Sequence, residues 1–428
     1  MWLHIGLLRP CTVARTWHVI PECCVASEPA RLDERPSRTS PASLLLDSAR
    51  LHPLSVRVRL SQRWREYQGI RNWEGMLDPL DNNLRDEIVR YGHFVEAAYR
   101  AFDFDIMSPT YGTCRFPRSS LLERSGLPGT GYRLTKNLRA TSSIRLPRWM
   151  DSYDLPSWMA ARSTWIGYVG VCEDREEIER LGRRDVVVAY RGTATCLEWL
   201  ENLRANLTHL PGCATTFGEP MVERGFFSLY TSGTHGTPSL QTLVREEIER
   251  VLQSYGDEPL SLTITGHSLG AALATLTAHD IKTTFKNVPL ITVISFGGPR
   301  VGNWSFRRRL EQQGVKILRI VNSDDVVTKV PGFTVAEVEG VTENLGHAAA
   351  GWLRRAAEGQ WMYADVGREL RLRSRDSPYL GSGANMAVCH ELKTYLHLVS
   401  GFESSKCPFR ATTKRMMGNR RAIRLPRR

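Results

Sequence analysis

The chain of 428 residues has no run of eighteen apolar residues, so a membrane-spanning helix is not expected and any contact with lipid should be peripheral. Its nine cysteines form no CxxC pair, and no Cys and His cluster has ligand spacing, which argues against a zinc site. The odd count fits reduced thiols better than a disulfide framework. No repeat of solenoid period is visible. Acidic residues are missing from two stretches, 1–21 and 406–428. The second holds nine Lys and Arg, most of the formal +12, so the body is close to neutral and no nucleic-acid partner is expected. That tail reads as a solvated end, with attraction to anionic lipid as the sharper alternative.

The other acid-poor stretch carries Arg9, Arg15, Thr12 and Thr16, and Ser and Pro continue to about Ser55. It resembles an organelle transit peptide, although Glu28, Asp33 and Glu34 weigh against that. Three regions are expected: a leader over 1–60, one large domain over 61–405 and a basic tail over 406–428.

Ordered structure should begin near Trp64. Asp81 caps a predicted helix from Asn82 to about Phe102, with Leu84, Ile88, Val95, Tyr99 and Phe102 inward and Arg85, Asp86 and Arg90 outward. Further on, apolar runs alternate with amphipathic segments. Strands are predicted at Asp185–Tyr190, Leu260–Thr265, Leu290–Phe296 and Val315–Val321, with helices at Ser239–Ser254, Ser268–Phe285 and Asn303–Gln313. Strand, helix, strand, helix, strand in this order predicts an α/β fold with a mostly parallel sheet and right-handed crossovers.

Gly266-His267-Ser268-Leu269-Gly270 falls between a predicted strand and a predicted helix. In that setting GxSxG makes a sharp turn that lifts a serine hydroxyl out as a nucleophile, with Gly266 and Gly270 avoiding collisions with neighbouring backbone. The bland alternative makes Ser268 a helix cap. A nucleophilic serine needs a base, and the base needs an orienting carboxylate, both expected downstream. Asp324 and Asp325 follow the last strand at its C-terminal end, where parallel sheets build their sites; Asp365 and Asp376 are more distant acids. Of the later histidines, His347 lies in an alanine-rich loop and His397 inside an apolar helix. His390, expected to begin that helix, is the candidate base. His267 points elsewhere on the turn and is expected to pack or hydrogen-bond. Leu269 N–H and Thr193, in Tyr190-Arg191-Gly192-Thr193, are candidate oxyanion donors; by spacing alone the latter reads equally as a turn that ends a strand.

Tyr190 to Thr193, Glu198-Trp199, Gly225-Phe226, Gly266 to Gly270, Phe296 to Gly302 and Asp325 to Pro331 together resemble the class 3 lipases. Tyr132 to Ser143, Ser374 to Tyr379 and Cys389 to His397 are similar to the plant chloroplastic phospholipase A1 and galactolipase group. The resemblance spans about Trp64 to Arg410. It implies an α/β-hydrolase fold with helices on both faces, Asp325 rather than Asp324 as the acid, His390 as base and Thr193 as oxyanion donor. It also implies a short lid over Leu197 to Leu207 with Trp199 and Leu200 toward lipid, no cofactor or metal, and a glycerolipid substrate at a membrane or lipid-droplet surface. The leader is then a chloroplast transit peptide, the destination stroma or a thylakoid or plastoglobule surface, with the cytoplasm as alternative. Fatty-acid release by phospholipase A1 (sn-1) action on phospholipids or galactolipids is the implied activity. A triacylglycerol lipase and a non-catalytic signalling scaffold are the competing expectations.

Overall fold

The computed structural model describes residues 60–105, 107–141, 163–193, 206–211, 218–234, 236–331, 362–380, 385–407 and 409. The leader over 1–59, the lid residues Trp199 and Leu200, His347 and the tail from 410 lie outside the described residues.

Strands β1 (Tyr132–Thr141), β2 (Ser163–Cys172) and β3 (Arg184–Tyr190) open the main sheet, β4 (Leu207–His209) and β5 (Met221–Glu223) pair as a separate ribbon, and β6 (Leu260–His267), β7 (Leu290–Phe296), β8 (Lys316–Asn322) and β9 (Arg368–Leu372) complete it. The spatial order is β1-β2-β3-β6-β7-β8-β9. β3 and its successors pair in parallel, as predicted, whereas β1 and β2 add an antiparallel edge that the apolar pattern does not announce.

Alternation along β3 sends Val186, Val188 and Tyr190 into one core and Val187 and Ala189 into the other. Helices cover both faces. Helix α1 (Leu60–Tyr67) and the long α2 (Asn82–Ala101) lie on the second core's side, followed by the short α3 (Leu121–Arg124) and α4 (Arg175–Leu181). Helices α5 (Arg224–Thr231), α6 (Leu240–Tyr255), α7 (Leu269–Thr284) and α8 (Trp304–Gln312) cover the first core, and α9 (Met386–His390) and α10 (Leu392–Gly401) return to α2's side. Each fully buried Leu, Ile or Phe contributes roughly 1.5–3 kcal/mol of transfer free energy. A parallel sheet layered this way is the α/β-hydrolase arrangement expected from the motifs. Among the described residues no helix is long and apolar enough to cross a membrane.

Helix α2 begins where expected: Asp81 accepts from Leu84 N at 3.0 Å. Its outward face differs from expectation. Arg85 is buried and donates to the carbonyls of Val399 and Phe402, the C-terminal end of α10, where a cation meets the negative end of the helix dipole. Arg90 is half-buried and pairs with Glu87 at 2.8 Å and Asp185 at 3.4 Å. Sandwiched between sheet and α10, α2 is covered over more than one apolar stripe, so charged flanks are buried too and must find partners.

Candidate active site

The parallel strands end at one rim, and the four segments singled out from sequence all leave from it. Ser268 follows β6 directly and precedes α7 with φ 57° and ψ −126°, a conformation that a non-glycine residue adopts only under constraint. The constraint is tight packing. A Cβ on Gly266 would lie 2.3 Å from the backbone of Gly270, and one on Gly270 would lie 2.6 Å from the carbonyl oxygens of Tyr190 and Arg191. Ser268 precedes the helix, yet its side chain makes no capping hydrogen bond to it, unlike Asp81 or Ser239 at their helices. Its backbone N–H donates instead to the Phe296 carbonyl at 3.0 Å, tying the turn to the end of β7.

Asp325 and His390 come together from segments 65 residues apart. The His390 Nδ1 lies 2.6 Å from Asp325 Oδ2, and Asp325 is wholly buried. An ionised carboxylate only accepts, so Nδ1 carries the proton and Nε2 has the lone pair. Asp325 Oδ1 accepts from Val327 N at 2.9 Å, and the Tyr395 hydroxyl donates to Oδ2 at 2.6 Å. Burial and the Asp325 charge push the Tyr395 phenol well above its ordinary range, so it remains a donor. Asn322, the last residue of β8, fixes the other side: its Nδ2 donates to the Cys389 carbonyl at 2.9 Å and to Ser374 Oγ at 2.7 Å.

The other candidates are engaged elsewhere. Asp324 faces the Arg375 guanidinium at 3.0 Å, Asp365 pairs with Arg319 at 3.2 Å, and Asp376 ends a short 3-10 turn. His397 bonds Ser377 Oγ at 2.8 Å inside α10. His390 does not begin α10 as expected: it closes α9, and Glu391 separates the two helices, because the extended Glu391 backbone redirects the chain there. Thr193 lies just beyond β3 with a buried Oγ1 that has no hydrogen-bond partner among the described residues. Leu269 is buried at the first position of α7.

Three contributors to this cluster were not singled out from sequence. Tyr395 sits inside the segment Cys389 to His397 with no separate signal; Tyr99, whose hydroxyl lies 2.7 Å from His267 Nδ1, is predicted only as an inward position of α2, and Asn322 only as the first residue after a strand. A polar group at the C-terminal end of a parallel strand is the one clue that would have drawn attention to Asn322.

Among the described residues no group of three or more His, Cys, Asp or Glu could hold a metal ion. Residues 187–335 match the model of the lipase (class 3) family. Over 85% of this chain and 82% of the relative, the sequence is 67% identical to phospholipase A(1) DAD1, chloroplastic, of Arabidopsis thaliana. It is 40% identical to the Arabidopsis phospholipase A1-Igamma3, chloroplastic, over 84% of this chain and 70% of that one. It is 38% identical to the Arabidopsis galactolipase DONGLE, chloroplastic, over 82% and 73%. Relatives this similar over this much of both chains, around an elbow serine and a buried Asp–His pair, place the chain in the class 3 lipase family, within the plant phospholipase A1 and galactolipase group.

Proposed function

We infer that the chain is a serine acylhydrolase that releases a fatty acid from glycerolipids, with Ser268 as nucleophile, His390 as general base and Asp325 as the acid that orients it. The single observation that carries this is the 2.6 Å contact between His390 Nδ1 and the buried Asp325, on the same rim as the strained Ser268 turn. His390 Nε2 takes the Ser268 proton as Oγ attacks the ester carbonyl. The oxyanion of the tetrahedral intermediate is received by Thr193 and the Leu269 N–H. His390 then protonates the leaving lyso-lipid oxygen, and water deprotonated by the same nitrogen frees the fatty acid and restores Ser268. Asp325 keeps the imidazole in the required tautomer and offsets its charge when protonated.

The names of the relatives, phospholipases A1 and a galactolipase, support polar glycerolipids as substrates and the sn-1 ester as the bond cut. Their chloroplastic designations support a plastid destination, with 1–60 as transit peptide, 61–405 as the catalytic domain and 406–428 as a basic tail. At a thylakoid or plastoglobule surface Trp199 and Leu200 would face lipid.

Purified protein offered phosphatidylcholine, monogalactosyl diacylglycerol and triacylglycerol with distinguishable acyl labels is expected to release the sn-1 chain of the polar lipids. Preference for triacylglycerol would make it a triacylglycerol lipase. Ser268→Ala should lower turnover on the order of 10⁴-fold or more without altering the thermal midpoint. Undiminished hydrolysis by that variant would overturn the assignment, and an inert wild type would favour a scaffold. Import of a fusion of residues 1–60 into isolated chloroplasts tests the destination; a fusion left outside rejects it.

A further inference from the structure

The histidine inside the GxSxG motif is occupied in a way the mechanism above does not use. His267 Nε2 lies 2.7 Å from the backbone carbonyl of His390, and His267 Nδ1 lies 2.7 Å from the Tyr99 hydroxyl. A carbonyl can only accept, so Nε2 carries the hydrogen and the neutral ring has its lone pair on Nδ1. Tyr99 therefore donates to Nδ1, and its oxygen in turn accepts the Gly192 N–H at 2.8 Å. Every link has one direction: Gly192 N–H to Tyr99 O–H, Tyr99 O–H to His267, His267 N–H to the carbonyl of His390.

We propose that Tyr99 and His267 are positioning residues that set the oxyanion turn and the base in register across the nucleophile. The proposal rests on the assignment of Ser268, His390 and Thr193 made above. The chain of bonds joins four separate pieces of the fold: the turn after β3, helix α2, the elbow and helix α9. Its first member immediately precedes Thr193, and its last is the base's own carbonyl. Gly192 is held close against the nucleophile, since a Cβ there would lie 2.4 Å from the Tyr99 hydroxyl and 3.0 Å from Ser268 Cβ. The location of the Gly192-Thr193 turn relative to Ser268 thus depends on where Tyr99 places its oxygen.

The ring between them is suited to the task. His267 is buried with its centroid 4.7 Å from that of His390, and burial, with His390 beside it, holds its pKa well below the ordinary value. It stays neutral while His390 gains a proton in the reaction, so the direction of every bond survives the catalytic cycle. Hydrogen-bond donors for an oxyanion lose most of their effect when displaced by a fraction of an ångström, which makes a rigid support worth having at this point.

The test uses the full chain, wild type and Ser268→Ala, with Tyr99→Phe, His267→Gln and the double variant. The measurements are kcat and KM on phosphatidylcholine dispersions, inhibition by a long-chain alkyl trifluoromethyl ketone, which forms a tetrahedral adduct with the serine, and the thermal midpoint. Each single variant is expected to lower kcat about 10–100-fold with KM changed no more than about threefold. Ketone affinity should fall by a similar factor, and the double variant should be no worse than the poorer single, since either change cuts the same chain. Glutamine at 267 can still donate to the His390 carbonyl but leaves Tyr99 without its ring acceptor, so it decides the matter should Tyr99→Phe fail to fold. Full kcat in a folded variant, multiplicative losses in the double variant, or lost kcat with ketone affinity intact would each overturn the proposal. Turnover unaffected by Ser268→Ala would instead remove the catalytic assignment beneath it.

Discussion

Asp325 Oδ2 is the point where two donors meet, His390 Nδ1 and the Tyr395 hydroxyl, both at 2.6 Å. A carboxylate can serve both while its Oδ1 accepts the Val327 N–H; an amide, with one acceptor oxygen, cannot serve all three. Asp325→Asn puts an N–H₂ or a poorer acceptor opposite His390, favours the wrong tautomer and is expected to reduce kcat about 10⁴-fold at neutral pH. Tyr395→Phe leaves the His390 contact in place and removes one bond to a charged group. A loss of about 1.5–3 kcal/mol in denaturant unfolding, with a smaller fall in kcat than Asp325→Asn, is the expected result. Sequence could nominate Ser268, His390 and the pair Asp324 and Asp325 because a nucleophilic serine in GxSxG calls for a base and an acid, and the resemblance to the class 3 lipases singled out Asp325 from that pair. It could not nominate Tyr395 or Tyr99, whose phenols sit among apolar helix positions and look like core until the partner of each hydroxyl is known.

At the scale of elements, β3, β6, β7 and β8 and the helices α6, α7 and α8 were legible because buried parallel strands are continuous apolar runs and long helices stand between them. The edges were not. β1 is half exposed, and two register shifts, at Leu134/Lys136 and Leu138/Arg139, break its period-two pattern. β2 contains Gly167 and Gly170, which read as turn residues, and Gly167 is there because a Cβ would lie 2.0 Å from the Ala189 carbonyl oxygen. β9 buries only Leu370 and Leu372 among charged neighbours. The junction of β6 with α7 is the element most sensitive to added bulk. Gly266→Ala should destabilise the fold by about 1–3 kcal/mol, because the obstructing atoms are backbone and cannot rotate away; an unchanged midpoint would show that the elbow is more compliant than its packing indicates.

Across the whole molecule, charge is distributed less simply than a basic tail on a neutral body. At the end of the sheet away from the elbow, Glu87, Arg90, Arg183 and Asp185 are linked with Tyr91, Tyr132 and Ser261 between helix and strands. Periodicity assigns charged residues to solvent, so this cluster was invisible in the sequence. Burial alone would raise the Glu87 carboxyl, but Arg90 and Arg183 outweigh it and hold it at about 2. With the folded pKa below the unfolded one, Glu87 contributes stability that is full above pH about 4.5 and is lost as pH falls toward 2. Glu87→Gln should therefore be less stable at neutral pH and show a flatter decline of unfolding free energy with acid; equal slopes for both proteins would exclude Glu87 as a source of acid sensitivity.

Helix α2 reaches both ends of this assembly, with Arg85 on the closing turn of α10 and Tyr99 beneath the elbow. The stretch that matches the family model, 187–335, holds Ser268 and Asp325 but not the His390 imidazole or the Tyr99 and Tyr395 phenols. The reactive centre is consequently not a cassette that recombination could lift out and graft. Its parts are spread from Tyr99 to Tyr395, and inheritance must carry that whole span together.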